Sequence, residues 1–198
     1  MSRISIPATV DTAPAAAQPL LNGVKAKLGS VPNLFRLLAV SPAALEGYLG
    51  LSGALGKGSL DARTRERIAL AVAEFNGCGY CTSAHAFIGK NMAGLSDAEI
   101  AANRNGGSTD DRAAAAVRFA VKVVETRGQV SDADVAAIRV AGYSDADVIE
   151  IVLHVALNTL TNYVNEVAET TIDFTVLKAR DAACGRTAAT RATCPSRV

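Results

Sequence analysis

The chain has 198 residues, enough for one domain with a sizeable core, and its 20 basic against 19 acidic residues leave a net charge near +1. That balance recommends neither nucleic acid nor an anionic membrane surface as a partner, and leaves small molecules and proteins as the expected ligands. Hydrophobic residues make up 49% of the chain with no Trp, and much of that share is alanine, the strongest helix former, so closely packed helices are expected.

No basic segment followed by an apolar run opens the chain, and no stretch approaches the roughly 20 apolar residues of a membrane span. A soluble, cytoplasmic protein without a membrane partner is the expectation. Residues 1–24 are punctuated by Pro7, Pro14 and Pro19 and carry no helical or strand period, so they read as an extended N-terminal arm. A helical domain is expected over 25–178. Residues 179–198, which hold Cys184 and Cys194, are small, polar and patternless and read as a mobile C-terminal tail.

Within the domain, Lys25 to Gly29 ends a short helix, and Gly29-Ser-Val-Pro32-Asn33 turns into Leu34–Leu38. Ser41 before Pro42 caps a helix with Leu45, Tyr48, Leu49 and Leu55 on its apolar side, ended by Gly56 and Gly58. Asp61 caps another that runs to about Asn76, with Ile68, Leu70, Val72 and Phe75 inward and Arg63, Arg65 and Arg67 outward. Gly77 breaks it, Cys78 opens the next, and Gly94 stands where that helix should stop. Ser96, Ser131 and Ser144 are each followed three residues later by a carboxylate, the pattern of a capping box. A loop over Asn103–Asp110 leads into a helix from Asp111 to Arg127. The last helix is expected from Ser144 to about Val176, apolar over most of its circumference and therefore buried within the domain or by another subunit. With no sustained alternation of period two, the fold class is all-α.

Chemistry concentrates in Cys78-Gly-Tyr-Cys81-Thr-Ser-Ala-His85, which puts two thiols and one of only two histidines within eight residues. On a helix starting at Cys78 these stand at i, i+3 and i+7 on one face. The sulfurs are then close enough for a disulfide, and a first-turn thiol feels the positive end of the helix dipole, which favours thiolate. A structural zinc site would need a fourth ligand, and the usual second Cys or His pair is missing unless the tail folds back. A c-type haem site would need His where Thr82 stands, and a thioredoxin-like site would need a preceding strand. Chance burial of two thiols is the bland alternative to a helix-borne redox dithiol. Neither a metal nor a cofactor is expected.

The stretch from Arg63 through Glu66, Glu74, Cys78 and Cys81 to His85 resembles the core of the alkylhydroperoxidase AhpD family, in the carboxymuconolactone decarboxylase-like superfamily. Gly29-Ser-Val-Pro-Asn-Leu-Phe-Arg upstream and Leu157-Asn-Thr-Leu-Thr-Asn-Tyr-Val-Asn165 downstream are similar to its peroxidase-related branch, so the resemblance covers roughly residues 25–176. It implies a compact helical subunit with Cys-x-x-Cys at a helix N-terminus, assembled as a homotrimer or homohexamer, that reduces hydroperoxides with electrons from a lipoyl or thioredoxin-like dithiol. The superfamily's decarboxylases lack the cysteine pair.

Cys81 stands four residues before His85, the spacing at which an imidazole can take or hold the thiol proton, so Cys81 is the expected peroxide-attacking thiolate and Cys78 the resolving thiol. The family order agrees. Glu66, twelve residues before Cys78, matches the family's relay glutamate, and Glu74 is a second candidate for that role. Tyr80 is expected to pack beside the site. His154, among Ile151, Val152, Leu153 and Val155, reads as a satisfied core histidine. Asn158, Asn162 and Asn165 form a stripe that could line a pocket or bond across a subunit contact. A redox-sensing oligomer without turnover, or a lactone decarboxylase-like non-redox activity, would carry the same sequence.

Overall fold

Short polar side chains stand just before six of the helices and take a backbone N–H that the helix cannot satisfy itself: Ser41, Asp61, Ser96, Asp110, Ser131 and Ser144. Each such cap is worth about 1 kcal/mol. The structure, a computed structural model, describes residues 2–177; the tail expected over 179–198, with Cys184 and Cys194, lies outside the described residues. After a 3₁₀ turn at Ala15–Ala17 come α1 (Gln18–Leu28), α2 (Asn33–Leu38), α3 (Pro42–Leu55), α4 (Ala62–Asn76), α5 (Gly79–Asn91), α6 (Asp97–Arg104), α7 (Asp111–Thr126), α8 (Asp132–Val140) and α9 (Asp145–Ala168). No strand occurs among the described residues. None of the helices there is long and apolar enough to cross a membrane.

The organising element is α4, whose residues Ile68 to Glu74 are buried without interruption. Alanines at 69, 71 and 73 let neighbours approach on several sides, and α5, α6, α7 and α9 all pack against this helix. Its Ile68 and Val72 join Phe119, Val123, Ile138, Ile151 and Val155 in one cluster under α7, α8 and α9. A second cluster gathers Ala73, Cys78, Tyr80 and Cys81 with Leu34, Leu38, Leu45 and Leu21. The cysteine pair thus sits inside a core.

Four sequence expectations change. The N-terminal arm is not extended to residue 24: Pro19 lies in the first turn of α1, where its missing N–H costs nothing, and Ala13, Ala17 and Leu21 are buried in the cysteine-side core. The arm therefore belongs to the helical domain, and its start is also tied down by Arg3 N–H on the Ala168 carbonyl at 2.7 Å. The last helix stops at Ala168 rather than near Val176. Glu169 adopts a left-handed conformation, and residues 171–177 continue as irregular chain laid across α5. Arg67 is not outward, since its Nε meets the buried Glu99 carboxylate at 2.7 Å. Glu99 in turn leaves the expected capping box open. Burial works against its charge, but hydrogen bonds from Ser108, Thr109 and Asn103 hold its pKa down at about 2.

The α3–α4 connection is fixed from across the domain. The Glu150 carboxylate accepts the N–H groups of Ser59 at 3.0 Å and Leu60 at 3.2 Å, and a Cβ at Gly58 would overlap that carboxylate. Leu21 tests the arm's membership of the core. Leu21→Ala should destabilise the protein by about 2–5 kcal/mol in chemical denaturation, whereas a detached arm would leave the midpoint unmoved.

Candidate active site

The turn between α4 and α5 aims the two sulfurs. Gly77 ends α4 at φ 73°, a left-handed conformation that a side chain would strain. Cys78 then caps α5 from an extended conformation, its sulfur accepting the Cys81 N–H at 3.4 Å. Cys81 sits in the first turn, at the positive end of the helix. The two thiols are free, with Cys78 0% and Cys81 2% exposed, yet they differ in outlook. Cys81 lines a cavity of about 380 Å³ and Cys78 does not.

Their electrostatics diverge accordingly. The hydrogen bond from Cys78 is the largest influence on Cys81 and pulls its pKa down. Burial opposes this, the His85 charge and the amides of Asn162 and Asn165 support it, and the outcome is about 6. Cys78 is pushed up, first by that same hydrogen bond and then by burial, so it stays a thiol. Asn165 Nδ2 donates to the Cys81 sulfur at 3.3 Å, while Asn162 is held by Asn76 Nδ2 at 2.8 Å on its Oδ1.

One turn beyond Cys81, His85 Nδ1 meets Glu66 Oε2 at 2.8 Å across the α4–α5 contact. Burial pulls the imidazole's pKa down, but the charge and hydrogen bond of Glu66, with Cys81 adding in the same direction, raise it above its ordinary value. The arrangement is a thiolate beside an imidazolium beside a carboxylate. Glu74 is placed elsewhere: its carboxylate meets Arg104 Nε at 2.8 Å, and it does not line the cavity. The structure brings Cys78, Cys81, His85 and Glu66 together and sets Glu74 in a separate ion pair.

The cavity wall contains residues that sequence periodicity did not single out for function. Tyr48, one of the apolar positions of α3, stands half-buried beside it, and desolvation, then the Cys81 charge, push its phenol up to about 12. Phe174 from the irregular segment closes another side and stacks edge-on to Tyr80 at 5.8 Å between centroids. Tyr80 itself packs beside the site and accepts the Leu34 N–H at 3.1 Å. Arg65, Asn158 and Thr161 complete a polar side. His154 departs from expectation, lining the cavity with an Nε2 that no described residue satisfies. No group of three His, Cys, Asp or Glu side chains among the described residues is placed to hold a metal.

A lowered Cys81 pKa has a definite pH signature, because a depressed acid is ionised above its folded-state value. With Cys184 and Cys194 replaced by Ser, ultraviolet thiolate absorbance should titrate one sulfur with a midpoint at about 6, and Asn165→Leu should move that midpoint upward. A single midpoint near the ordinary thiol value of about 8.5 would contradict the site's electrostatics.

Residues 42–126 match the model of the carboxymuconolactone decarboxylase family. In structure, the chain is similar to an uncharacterized peroxidase-related protein from Ralstonia eutropha JMP134, described as an alkylhydroperoxidase AhpD core, at 28% identity and TM-score 0.77 over 87% of this chain and 92% of that one. An uncharacterized peroxidase-related protein from Silicibacter sp. TM1040 aligns at 25% identity and TM-score 0.75 over 86% and 91%. A cysteine-to-alanine variant of the debrominase Bmp8, in complex with 2,3,4-tribromopyrrole, shares the fold at 20% identity and TM-score 0.73 over 87% and 94%. No curated protein matches the chain.

Proposed function

Because residues 42–126 match the model of the carboxymuconolactone decarboxylase family and the chain is similar in structure to proteins described as peroxidase-related, we propose that it is a member of that family and a thiol peroxidase working through Cys81. The observation that carries this reading is a cavity-facing sulfur with a pKa of about 6, backed by a second thiol and by a Glu66–His85 pair at 2.8 Å. A non-redox decarboxylase would have no use for a thiolate held in this way.

The reaction balances with the residues present. Cys81 thiolate attacks one oxygen of the hydroperoxide, the O–O bond breaks, and the leaving alkoxide takes the His85 proton to depart as alcohol, leaving a sulfenic acid on Cys81. Cys78 then attacks that sulfur. A Cys78–Cys81 disulfide forms, the sulfenate hydroxyl leaves, and with the Cys78 proton it becomes water. Glu66 holds the imidazole in place and favours its charged form. An external dithiol, a lipoyl group or a thioredoxin-like protein, returns the pair to thiols in a reducing, cytoplasmic compartment.

A second electrophile deserves a place because Phe35, Tyr48, Tyr80, Phe87 and Phe174 all line the cavity and a debrominase shares the fold. Thiolate attack on the bromine of a bromoarene would break the C–Br bond and leave its electrons on carbon, which takes the His85 proton, and Cys78, giving its proton back to His85, would displace bromide from the Cys81 sulfur to form the same disulfide. Consumption of hydroperoxide against release of bromide separates the two substrates.

The mechanism is tested by stopped-flow oxidation. Cys81→Ser should abolish reaction with hydroperoxide, while Cys78→Ser should stop at a trappable sulfenic acid. His85→Ala should slow the step about 10²-fold at neutral pH, Glu66→Gln less, and raising the pH should restore part of both. Reversed behaviour of the two cysteine variants would exchange their roles, and oxidation to a disulfide without steady-state turnover on supplied dithiol would make the protein a sensor.

A homotrimer or homohexamer is proposed on the outer face of α9. There Ile149, Leu153, Ala156, Leu160, Tyr163 and Val167 are exposed and alternate at spacings of four and three, an unbroken apolar seam. Light scattering should report three or six subunits, and Leu160→Glu should lower that number. A wild-type monomer at micromolar concentration would remove the proposal.

A further inference from the structure

His154 is a titratable cavity residue to which the redox chemistry assigns no task. It lies on α9, is 6% exposed, lines the cavity, and carries a buried Nε2 with no hydrogen-bond partner among the described residues. Its neighbours along the helix do not serve it. The Asn158 amide turns back to donate to the His154 carbonyl at 2.8 Å, and the Thr161 hydroxyl bonds the Asn158 carbonyl at 2.9 Å. A buried nitrogen left without a partner costs stability that a leucine at the same place would not, so the position is held by something other than packing.

The charge around it is specific. Arg65 lines the same cavity, with Nη1 fixed to the Leu60 carbonyl at 2.8 Å. Its Nε and Nη2 make no hydrogen bond to the described residues. Burial, then the charge of Arg65, pull the His154 pKa down to about 4, against a smaller upward pull from Glu150 and Glu66. The ring is therefore neutral and can donate one N–H. Glu66 is engaged by His85, and Glu150 by the Ser59 and Leu60 amides, so neither carboxylate takes up the remaining guanidinium donors of Arg65. Eleven residues of α9 separate His154 from the Asn165 that touches Cys81, about 16 Å of helix axis. Beside the polar Asn158 and Thr161, the cavity wall offers the apolar surfaces of Phe35, Leu157 and Phe174.

We propose that His154 and Arg65 form a recognition site for the carboxylate of an amphiphilic substrate, whose apolar body lies along the cavity and presents its reacting group to Cys81. Given the reading of Cys81 as the peroxide-reducing sulfur, on which this rests, the substrate class is a long-chain hydroperoxide with a carboxylate head. A guanidinium and a neutral imidazole donor meet such a head without adding a second positive charge. His154 is a positioning residue, since it acts at a distance from the reacting atoms.

The test compares linoleic acid hydroperoxide with its methyl ester, which keeps the reacting group and loses the anion. Wild-type protein should prefer the acid by about tenfold in kcat/KM, carried by KM, as one charge-assisted hydrogen bond allows. His154→Leu should bring acid and ester close to parity without lowering Tm, and His154→Gln, which keeps a donor, should restore part of the preference. A wild type indifferent to esterification, or a preference that survives His154→Leu, overturns the anchor and leaves the peroxidase reading standing. Should neither hydroperoxide react, the peroxidase reading fails, and the anchor is judged on laurate binding to Cys81→Ser protein by calorimetry. Binding weakened about tenfold by adding His154→Leu upholds it, and no binding overturns it.

Discussion

A sulfur with 2% of its surface exposed can carry a negative charge only if the protein replaces the water it gave up. The site does this from four directions: the N-terminus of α5, the Cys78 thiol, the Asn165 amide and the imidazolium of His85. Two charge-assisted hydrogen bonds at about 1.5–3 kcal/mol each, with a helix terminus worth up to about 2 kcal/mol, match the several kcal/mol that burying an ion costs. The imidazole is itself partly buried, and Glu66 supports its charged form in turn. The chemistry thus depends on a chain of neutralised charges running from α9 through α5 to α4.

That chain explains why α4 is enclosed by other helices. Its cavity side offers Arg65 and Glu66, while Arg67 meets Glu99 on α6 and Glu74 meets Arg104 at the end of that helix. Such partly buried ion pairs do little for net stability. They restrict how α4 can rotate against its neighbours, since a turn of the helix would separate every pair together. With α4 fixed, the Glu66 carboxylate keeps its 2.8 Å contact with His85 on α5.

Local signals were legible in the sequence wherever a single side chain decides the outcome. Ser41, Asp61, Ser131 and Ser144 start helices because their oxygens take an N–H three residues on, and Gly77 turns the chain because glycine alone adopts the left-handed conformation without cost. The cysteine pair, His85 and Glu66 were equally legible, since helix spacing fixes the first three and the family resemblance supplied the fourth. Glu66 and Glu74 could not be separated from sequence, because the choice depends on which carboxylate meets Arg104, and that is set by how α6 lies on α4. The arm was misread because proline was taken as a breaker, when at a helix start it is pre-organised. His154 was misread for a related reason: apolar neighbours in sequence say that a side chain is buried, but not whether a protein atom waits for its nitrogen.

Where α9 ends has a kinetic meaning. Beyond Glu169 the chain gives up the repeating hydrogen bonds of a helix, and the wall that carries Phe174 is secured by a few separate anchors. These are the Asn33 N–H on Asp173 at 2.7 Å, the Asn33 side chain on the Thr171 carbonyl at 2.9 Å, and the Leu177 N–H on Ser83 at 2.8 Å. Separate anchors release one at a time, whereas a helix frays only from its ends or melts as a cooperative unit. One side of an otherwise helical enclosure therefore has a lower free energy of opening than the core behind it. Molecules too large for the resting aperture can exchange at the rate of that local fluctuation, while the sulfur, the imidazole and the carboxylate keep their places.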